Sequence, residues 1–386
     1  MGLTVKNQDL TPTRREFLVT LSAALAVSRI AAAQQKTVRT IAGIGRTAAP
    51  DDNLWIEQDA LKTPVSNPFG IIAGADDALY YCEYDTGCTR RLDLSSRRVT
   101  TLAGNGKKAY AGDGGPALSA SFSAPHEIRF DPAGHLFIVE RDAHVVRRVD
   151  ARTRMVSTVA GTGVAGFSGD GGPASHAQLR QPHSIAFDAA GNLLVCDIGN
   201  QRVRLVDMKS GNISTFAGTG DKGTTPDEAP LEGTPLNGPR SIDTDPAGNI
   251  YLVLREGNAV FRIDPRARRL ARIAGTGQTG FTGDGGPALT ATFNGPKGVT
   301  YAPPGQHALS GVEGSLYIVD TENHAIRRVD LRSQTISTVV GTGQRGNGPD
   351  GDPMKCGLAR PHAVVLHRGG GVYVSDSENH CIRVVT

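Results

Sequence analysis

Short apolar stretches separated by glycine, proline and aspartate turns recur at a fixed interval along this chain. One copy begins at Pro125, turns at 131–134, and continues with apolar stretches at 136–139 and 145–149 before closing at 156–161. This alternation predicts four short strands joined by tight turns. Because such a meander cannot bury both of its faces alone, each copy must pack against a neighbouring copy.

A proline at the start of each copy sets the interval. These prolines are Pro68, Pro125, Pro182, Pro239 and Pro296, spaced by 57 residues, and then Pro361 after 65. Sheets repeated in this way stack radially into a propeller, which protects their short edges. Six starts therefore predict an all-β, six-bladed β-propeller. The last copy ends at Thr386 without a closing segment, and 38–43 matches the missing one, so we expect an N-terminal strand to complete the sixth blade.

The composition agrees with this architecture, and the distribution of charge indicates which class of partner is not expected. Glycine (48) and proline (22) are abundant and aromatic residues make up 5%, which suits many short strands joined by turns. The formal net charge is +3. The basic residues are spread over all copies, whereas nucleic-acid binders concentrate them on one face. We therefore expect no nucleic-acid partner.

Residues 1–33 have the pattern of an export signal. The pair Arg14-Arg15 precedes an apolar run over 18–27, and Ala31-Ala32-Ala33 offers a cleavage site. An apolar run of ten residues is too short to span a bilayer, which needs about 20 residues. The pattern predicts export by the twin-arginine translocase to the periplasm or beyond, no stable membrane span after cleavage, and a propeller over 34–386.

The residue after each repeat proline is the first candidate for chemistry, since the first strand of a blade lines the central channel. These residues are His126, His183, Arg240, Lys297 and His362. Three imidazoles in one channel suggest a divalent metal such as zinc or calcium, with an oxygen from Glu127. In the alternative, the histidines only hydrogen-bond neighbouring loops. Arg240 and Lys297 are suited to recognising a carboxylate or phosphate.

A second group flanks the loop between the second and third strands of a blade, at the same end of the sheets. Carboxylates end the second strand, and histidines begin the third. They are Glu140, Asp197, Asp320 and Asp376, followed by His144, His324 and His380. If the protein is an enzyme, one of these carboxylates or Glu127 would act as the general base, and the histidines would contact the ligand. The alternative is that the carboxylates cap turns and need no ligand.

Five cysteines in an exported chain suggest disulfides and leave one thiol over. Cys82 and Cys88 bracket a five-residue turn between two strands of the first blade, where opposed residues come within bonding range. Cys356 and Cys381 are expected at the same end of the sixth blade. We therefore predict a Cys82–Cys88 bond. Cys356 and Cys381 either form a second bond or remain free thiols.

The copies resemble NHL repeats, whose namesake tripeptide is approximated by Asn323-His324-Ala325 and Asn379-His380-Cys381. The resemblance covers residues 36–386 and implies the propeller fold without fixing one function. Two groups of propellers resemble this repeat distantly: gluconolactonase-like propellers and peptidyl-amidoglycolate lyase domains. The lyase domains bind a metal through histidines in their channel, and residues 125–128 resemble one of the segments that carry those histidines. Two functions follow as expectations. The first is an exported propeller that binds a small molecule, glycan or protein on its loop face. The alternative is a metal-dependent lyase or lactone hydrolase with a histidine-lined channel.

Overall fold

The computed structural model describes residues 1–2, 36–305 and 314–386. The predicted signal peptide falls outside these residues except for its first two, so its cleavage and export route stay predictions. Residues from Thr37 onward form one compact unit. Within the described ranges, no helix is long and apolar enough to cross a membrane.

The strands form six antiparallel sheets, which we number as blades 1 to 6 in chain order. The strands of blades 1 to 3 are β2 (Gln58–Asp59), β3 (Pro68–Ala73), β4 (Ala78–Glu83), β5 (Cys88–Asp93) and β6 (Arg98–Ala103); β7 (Pro125–Phe130), β8 (Leu136–Glu140), β9 (Val145–Val149) and β10 (Val156–Ala160); β11 (Pro182–Phe187), β12 (Leu193–Asp197), β13 (Arg202–Val206) and β14 (Ile213–Ala217). Those of blades 4 to 6 are β15 (Ala229–Pro230), β16 (Pro239–Thr244), β17 (Ile250–Leu254), β18 (Ala259–Asp264) and β19 (Arg269–Ala274); β20 (Gly298–Ala302), β21 (Ser315–Asp320), β22 (Ala325–Asp330) and β23 (Ile336–Val340); β24 (Ala363–Leu366), β25 (Val372–Asp376), β26 (Cys381–Val385) and β1 (Val38–Ala42). Single 3₁₀ turns occupy Ala174–His176, Ile198–Asn200, Ala288–Thr290, Thr321–Asn323 and Ser377–Asn379.

The blades close into a ring. The first strand of each blade contacts the first strands of both neighbours, in the circular order β3, β7, β11, β16, β20, β24 and back to β3. The prediction of an all-β, six-bladed propeller is thus confirmed. In blade 6 the outermost strand is β1, which pairs antiparallel with β26 and places Val38 opposite Val385.

The apolar core lies between the blades. Every residue of the second strands β8 and β12 is buried, because each of these strands is covered on both faces. In β8, Leu136 and Ile138 pack into the junction with blade 1, while Phe137 and Val139 pack into the junction with blade 3. Successive side chains of a strand point to opposite faces of the sheet, and both faces are buried here. The second strands are therefore continuous apolar runs in the sequence.

Buried ion pairs tie the second strand of five blades to the third. In each, an arginine of the third strand lies against the carboxylate that ends the second strand. The pairs are Glu83 with Arg90, Glu140 with Arg147, Asp197 with Arg204, Asp320 with Arg327, and Asp376 with Arg383. The nitrogen–oxygen distances run from 2.7 to 3.5 Å. Blade 4 departs from this pattern at both positions together, because Leu254 and Phe261 pack in its core.

A connector aspartate completes these pairs in four blades. Asp170 accepts a hydrogen bond from Arg204 at 2.5 Å and, through its other oxygen, from the hydroxyl of Thr215 on the outermost strand β14. Asp113, Asp284 and Asp350 contact the buried arginines of blades 2, 5 and 6 in the same way. The repeated Gly-Asp-Gly-Gly connector therefore pins the outer strand of the blade that it leads into.

The predicted disulfides are absent, and all five cysteines are free and buried. Cys82 lies opposite Thr89, and Cys88 lies opposite Glu83. The two cysteines are therefore one register position apart, and their side chains point to opposite faces of the sheet. The Sγ of Cys381 faces the Asp376 carboxylate at 3.9 Å, while that of Cys356 faces the carbonyl of Gly357 at 3.8 Å. The Cys82–Cys88 prediction is wrong, because the turn between the two strands pairs each cysteine with a residue one position away from the other cysteine.

The natural replacement in blade 4 provides a test of the ion pairs. We expect Asp197→Leu to destabilise the protein by about 2–3 kcal/mol, because Arg204 and the N–H of Arg180 lose a buried acceptor while Asp170 still contacts Arg204. The double variant Asp197→Leu/Arg204→Phe copies blade 4 and should recover more than half of that loss. Urea unfolding of the four members of this cycle measures the coupling. Additive effects of the two substitutions would contradict the pairing.

Candidate functional site

Five of the residues predicted from the sequence converge at the loop-face end of the channel. His126, His183, Arg240, Lys297 and His362 line one cavity of about 310 Å³. The ring centroids of His126 and His183 lie 4.4 Å apart, and those of His126 and His362 lie 6.2 Å apart. Each follows a repeat proline, so the ring of first strands brings them together.

An aromatic wall closes one side of this central cavity. Phe69, which follows the repeat proline of blade 1, stacks on the His362 imidazole with 3.7 Å between ring centroids. Tyr84 stacks on the other side of Phe69 at 4.7 Å. The Tyr84 hydroxyl accepts a hydrogen bond from Arg141. The wall therefore offers one apolar surface next to charged groups.

Three further cations of the cavity were missed by sequence reasoning: Arg141, Arg255 and Arg360. Arg141 and Arg255 directly follow the second strands of blades 2 and 4, and Arg360 directly precedes the repeat proline of blade 6. The signal was present, since these slots lie beside the predicted ones at the same end of the sheets. Basic residues recur in all copies, so their presence at these slots does not stand out in the sequence.

Arg240 is the most unusual of these cations. Its side chain is 3% exposed, and its Nη2 donates to Nε2 of His126 at 3.2 Å. Among the described residues, no carboxylate forms an ion pair with Arg240. Burial lowers the pKa of this guanidinium to about 9, with the Glu127 carboxylate acting in the opposite direction. A buried cation with no anionic partner lowers the stability of the protein when no ligand is bound.

Lys297 is a second buried cation, and it has a partner. Its Nζ lies 3.0 Å from Oε1 of Glu322, the same oxygen that Arg360 contacts at 2.7 Å. Burial, helped by the nearby Arg240, lowers the pKa of Lys297 to about 7 in spite of Glu322. Its charge is therefore lost progressively as the pH rises through about 7. The cavity becomes more positive in acid.

The three histidines are neutral at pH 7. Burial holds the pKa of each well below its usual value, and the charge of Arg240 or Lys297 acts in the same direction. Nδ1 of His183 lies 2.6 Å from the carbonyl of Gln181, and Nδ1 of His362 lies 3.0 Å from that of Arg360. Since a carbonyl only accepts, Nδ1 carries the proton in both rings, which leaves Nε2 as an acceptor.

The predicted metal ligands meet without forming a metal-binding set. Nε2 of His126 faces the Arg240 guanidinium, which occupies the direction a cation would take. Glu127, the expected oxygen ligand, forms an ion pair with Arg129 at 2.8 Å. Burial raises the pKa of the Glu127 carboxyl. In the part of the chain that the structure describes, no group of three or more histidines, cysteines and carboxylates has the geometry to hold a metal ion.

The other catalytic candidates have structural partners and do not line the central cavity. Glu140, Asp197, Asp320 and Asp376 are the fully buried carboxylates of the ion pairs described above. Each also accepts a backbone N–H, as Asp197 does from Arg180 at 2.7 Å. Burial raises the pKa of Glu140 to about 7 and that of Asp197 to about 6. These N–H groups belong to the connector that precedes the first strand of the same blade, so the carboxylates fix that connector and do not cap the turn that follows them.

The histidines predicted to bind a ligand instead join the blades. His144 has left-handed backbone with φ 57°, and its Nδ1 accepts the N–H of Gln181, the residue before the next repeat proline. His324 and His380 accept the N–H of Arg360 and Asn67 in the same way. At the two junctions after blades 3 and 4, side-chain oxygens of Gln201 and Asn258 take this role.

Comparison with known proteins agrees with this architecture. The family model described as NHL repeat matches residues 358–385. NHL repeat-containing protein 2 from Homo sapiens is 22% identical over 327 residues, which cover 76% of this chain and 44% of the human protein. The chain is a six-bladed β-propeller with an NHL repeat at 358–385. It spans less than half the length of the curated relatives at the head of that comparison.

Two solved structures resemble the NHL propeller in fold. An auxiliary nutrient binding protein from Bacteroides ovatus ATCC 8483 has a TM-score of 0.65 at 14% identity, covering 91% of this chain and 76% of that one. A catalytically inactive virginiamycin B lyase from Staphylococcus aureus, solved with quinupristin, has a TM-score of 0.51 at 12% identity, covering 86% and 98%. At these identities the likeness extends to the fold alone.

The blade-joining role of His144 predicts which replacement it tolerates. We expect His144→Ala to destabilise the NHL propeller by about 1 kcal/mol, because the N–H of Gln181 loses its acceptor. His144→Gln should recover most of this loss, since Gln201 fills the equivalent position in blade 3. Chemical denaturation measures both. Equal losses in the two variants would argue against the hydrogen bond as the cause.

Proposed function

We propose that this NHL propeller is an exported binding protein that holds a small anionic ligand, specifically a hydroxy acid, in its central cavity. The observation that carries the proposal is Arg240, a buried guanidinium at the cavity without a carboxylate partner among the described residues. An anion at Arg240 would supply the missing charge. Charge-assisted and bidentate hydrogen bonds of arginine to carboxylates or phosphates are among the strongest in proteins.

The charge balance around the cavity supports an anion. Arg141, Arg240, Arg255, Lys297 and Arg360 line it together with one carboxylate, Glu378. Glu378 is already bound to Arg360 at 3.0 Å. Asp142, Glu256 and Glu322 likewise lie against Arg141, Arg255 and Lys297. The uncompensated charge of the cavity is therefore that of Arg240, and an anion bound there would balance it.

The neutral groups of the cavity support hydroxyls on the same ligand. Nε2 of His183 and of His362 are acceptors, and no described residue donates a hydrogen bond to either. Hydroxyl groups donate to such acceptors, whereas a purely anionic ligand has no hydrogen to offer. Phe69 and Tyr84 add apolar lining for the carbon skeleton. A sugar acid combines all three features.

The comparisons and the sequence support the setting of this function. The structural relatives include proteins described as auxiliary nutrient binding. The predicted twin-arginine leader over 1–33 supports a location in the periplasm or outside the cell. We propose that it binds its ligand there.

Substituting Arg240 separates stability from binding. We expect Arg240→Met to raise the free energy of unfolding by about 1–3 kcal/mol, because it replaces an unpaired buried charge with an apolar side chain of similar length. The same variant should lose the thermal stabilisation that millimolar galacturonate gives the wild type. Differential scanning calorimetry with and without the sugar acid measures both effects.

Arg152→Met is the matched control, because this exposed arginine lies in a turn at the opposite end of the blades. It should leave both the stability and the response to galacturonate unchanged. If Arg240→Met destabilised the protein and still responded to galacturonate, the assignment of Arg240 as the anion site would be wrong.

A metal-dependent lyase or lactone hydrolase is the second candidate. It is favoured by the convergence of three neutral imidazoles in one cavity and by the fold of the virginiamycin B lyase. Stoichiometric zinc or calcium in protein purified without chelator, lost in His126→Ala/His183→Ala/His362→Ala, would support this function. From the ion pair of Glu127 with Arg129 and the position of Arg240, we expect elemental analysis to give less than one metal per ten chains.

A further inference from the structure

A second cavity continues from the central one along blades 3 and 4. We call it the side groove. It measures about 340 Å³ and shares Arg141, His183 and Arg255 with the central cavity. Because three residues line both spaces, a ligand that fills the central cavity can extend into the side groove without leaving the protein surface.

The side groove is cationic in its own right. Arg180 and Lys222 line it, and neither forms an ion pair with a carboxylate in the described ranges. The groove contains one acidic residue, Glu256, which is bound to Arg255 at 2.7 Å. Two uncompensated charges therefore lie beyond the edge of the central cavity.

In the other directions, the cations that line the central cavity have carboxylate partners. Toward blades 5 and 6, Arg360 is held by Glu322 and Glu378. Toward blades 1 and 2, Asp85 lies 3.7 Å from Lys108, and Asp142 lies 3.2 Å from Arg141. The charge of the loop face is therefore asymmetric, and an extended anion is drawn toward blades 3 and 4.

The lining of the side groove indicates the kind of chain that it receives. Its one aliphatic residue larger than glycine is Ile198, and the rest of the lining is charged or polar, including Gln181. A peptide partner would need apolar pockets for its side chains or a free strand edge. A chain of hydroxylated rings needs neither, since amide, imidazole and charged groups bind hydroxyls and carboxylates directly.

We propose that the ligand is an acidic oligosaccharide whose terminal acidic sugar occupies the central cavity and whose next charged units bind Arg180 and Lys222 in the side groove. This inference rests on the proposed function, since it adds a second anion subsite to the one at Arg240. The shared chemistry is an anionic group on every sugar, whether carboxylate or sulfate.

Isothermal titration of galacturonic acid and of its α-1,4-linked trimer tests the second subsite. We expect the wild type to bind the trimer at least tenfold more tightly than the monomer, since the trimer reaches two additional cations. In Arg180→Gln/Lys222→Gln, which keeps side chains of similar reach without charge, that ratio should fall to less than threefold while monomer affinity is retained. Arg152→Gln/Lys209→Gln removes two cations from turns at the opposite end of the blades and should keep the wild-type ratio.

The outcomes separate the two proposals. Equal affinity of the wild type for monomer and trimer, or an unchanged ratio in Arg180→Gln/Lys222→Gln, would overturn the second subsite and leave the Arg240 site standing. Undiminished monomer binding by Arg240→Met would overturn the Arg240 site. A neutral trimer of galactose that binds as well as the acidic one would overturn both. In a further outcome, galacturonate fails to bind while a trisaccharide sulfated on every ring binds with the same dependence on Arg180 and Lys222. That result would support the second subsite and identify sulfate as the anion.

Discussion

Burial of every blade on both faces is the constraint on which the rest of this molecule depends. The second strands, such as β8 and β12, have no solvent-facing side, so a blade that lacked a neighbour would expose an entire apolar surface. Closing the ring removes that surface from water at all six junctions. It also fixes the first strands around one axis, which is why residues separated by 57 positions or more in the sequence line a single cavity.

Charge inside such a protein is tolerated only under strict conditions, and the arginines show this. Arg147, Arg204 and Arg327 are buried in the blades, and each contacts the carboxylate that ends the second strand together with a connector aspartate. Arg240 is buried to a similar degree and contacts a neutral histidine. Paired buried charges position strands, whereas an unpaired one at a cavity is a cost that a ligand can relieve.

Blade 4 carries most of the functional asymmetry of an otherwise regular ring. It replaces the buried ion pair with Leu254 and Phe261, has Asn258 where blades 2, 5 and 6 have histidine, and supplies Arg240 and Arg255 to the central cavity. Because Leu254 and Phe261 substitute for both partners of the ion pair, the blade loses no packing and leaves no charge uncompensated at that position. The same blade borders the side groove, so the direction in which we expect a ligand to extend follows from this departure.

The sequence by itself determined the number of blades, the approximate positions of the four main strands in a copy and the residues that face the channel. These properties depend on local alternation and on a fixed period, both of which are written along the chain. Only the tertiary structure decided which polar residues are free to act. In the sequence, Asp197 and His144 are as strong candidates for a functional role as Arg240. In the structure, however, Asp197 forms an ion pair with Arg204, and His144 accepts a hydrogen bond from the backbone of Gln181. The Cys82–Cys88 prediction failed for a related reason, since one register position changes the face on which a side chain lies. Partners of buried polar groups come from other strands and other blades, and a pattern read along one strand contains no information about them.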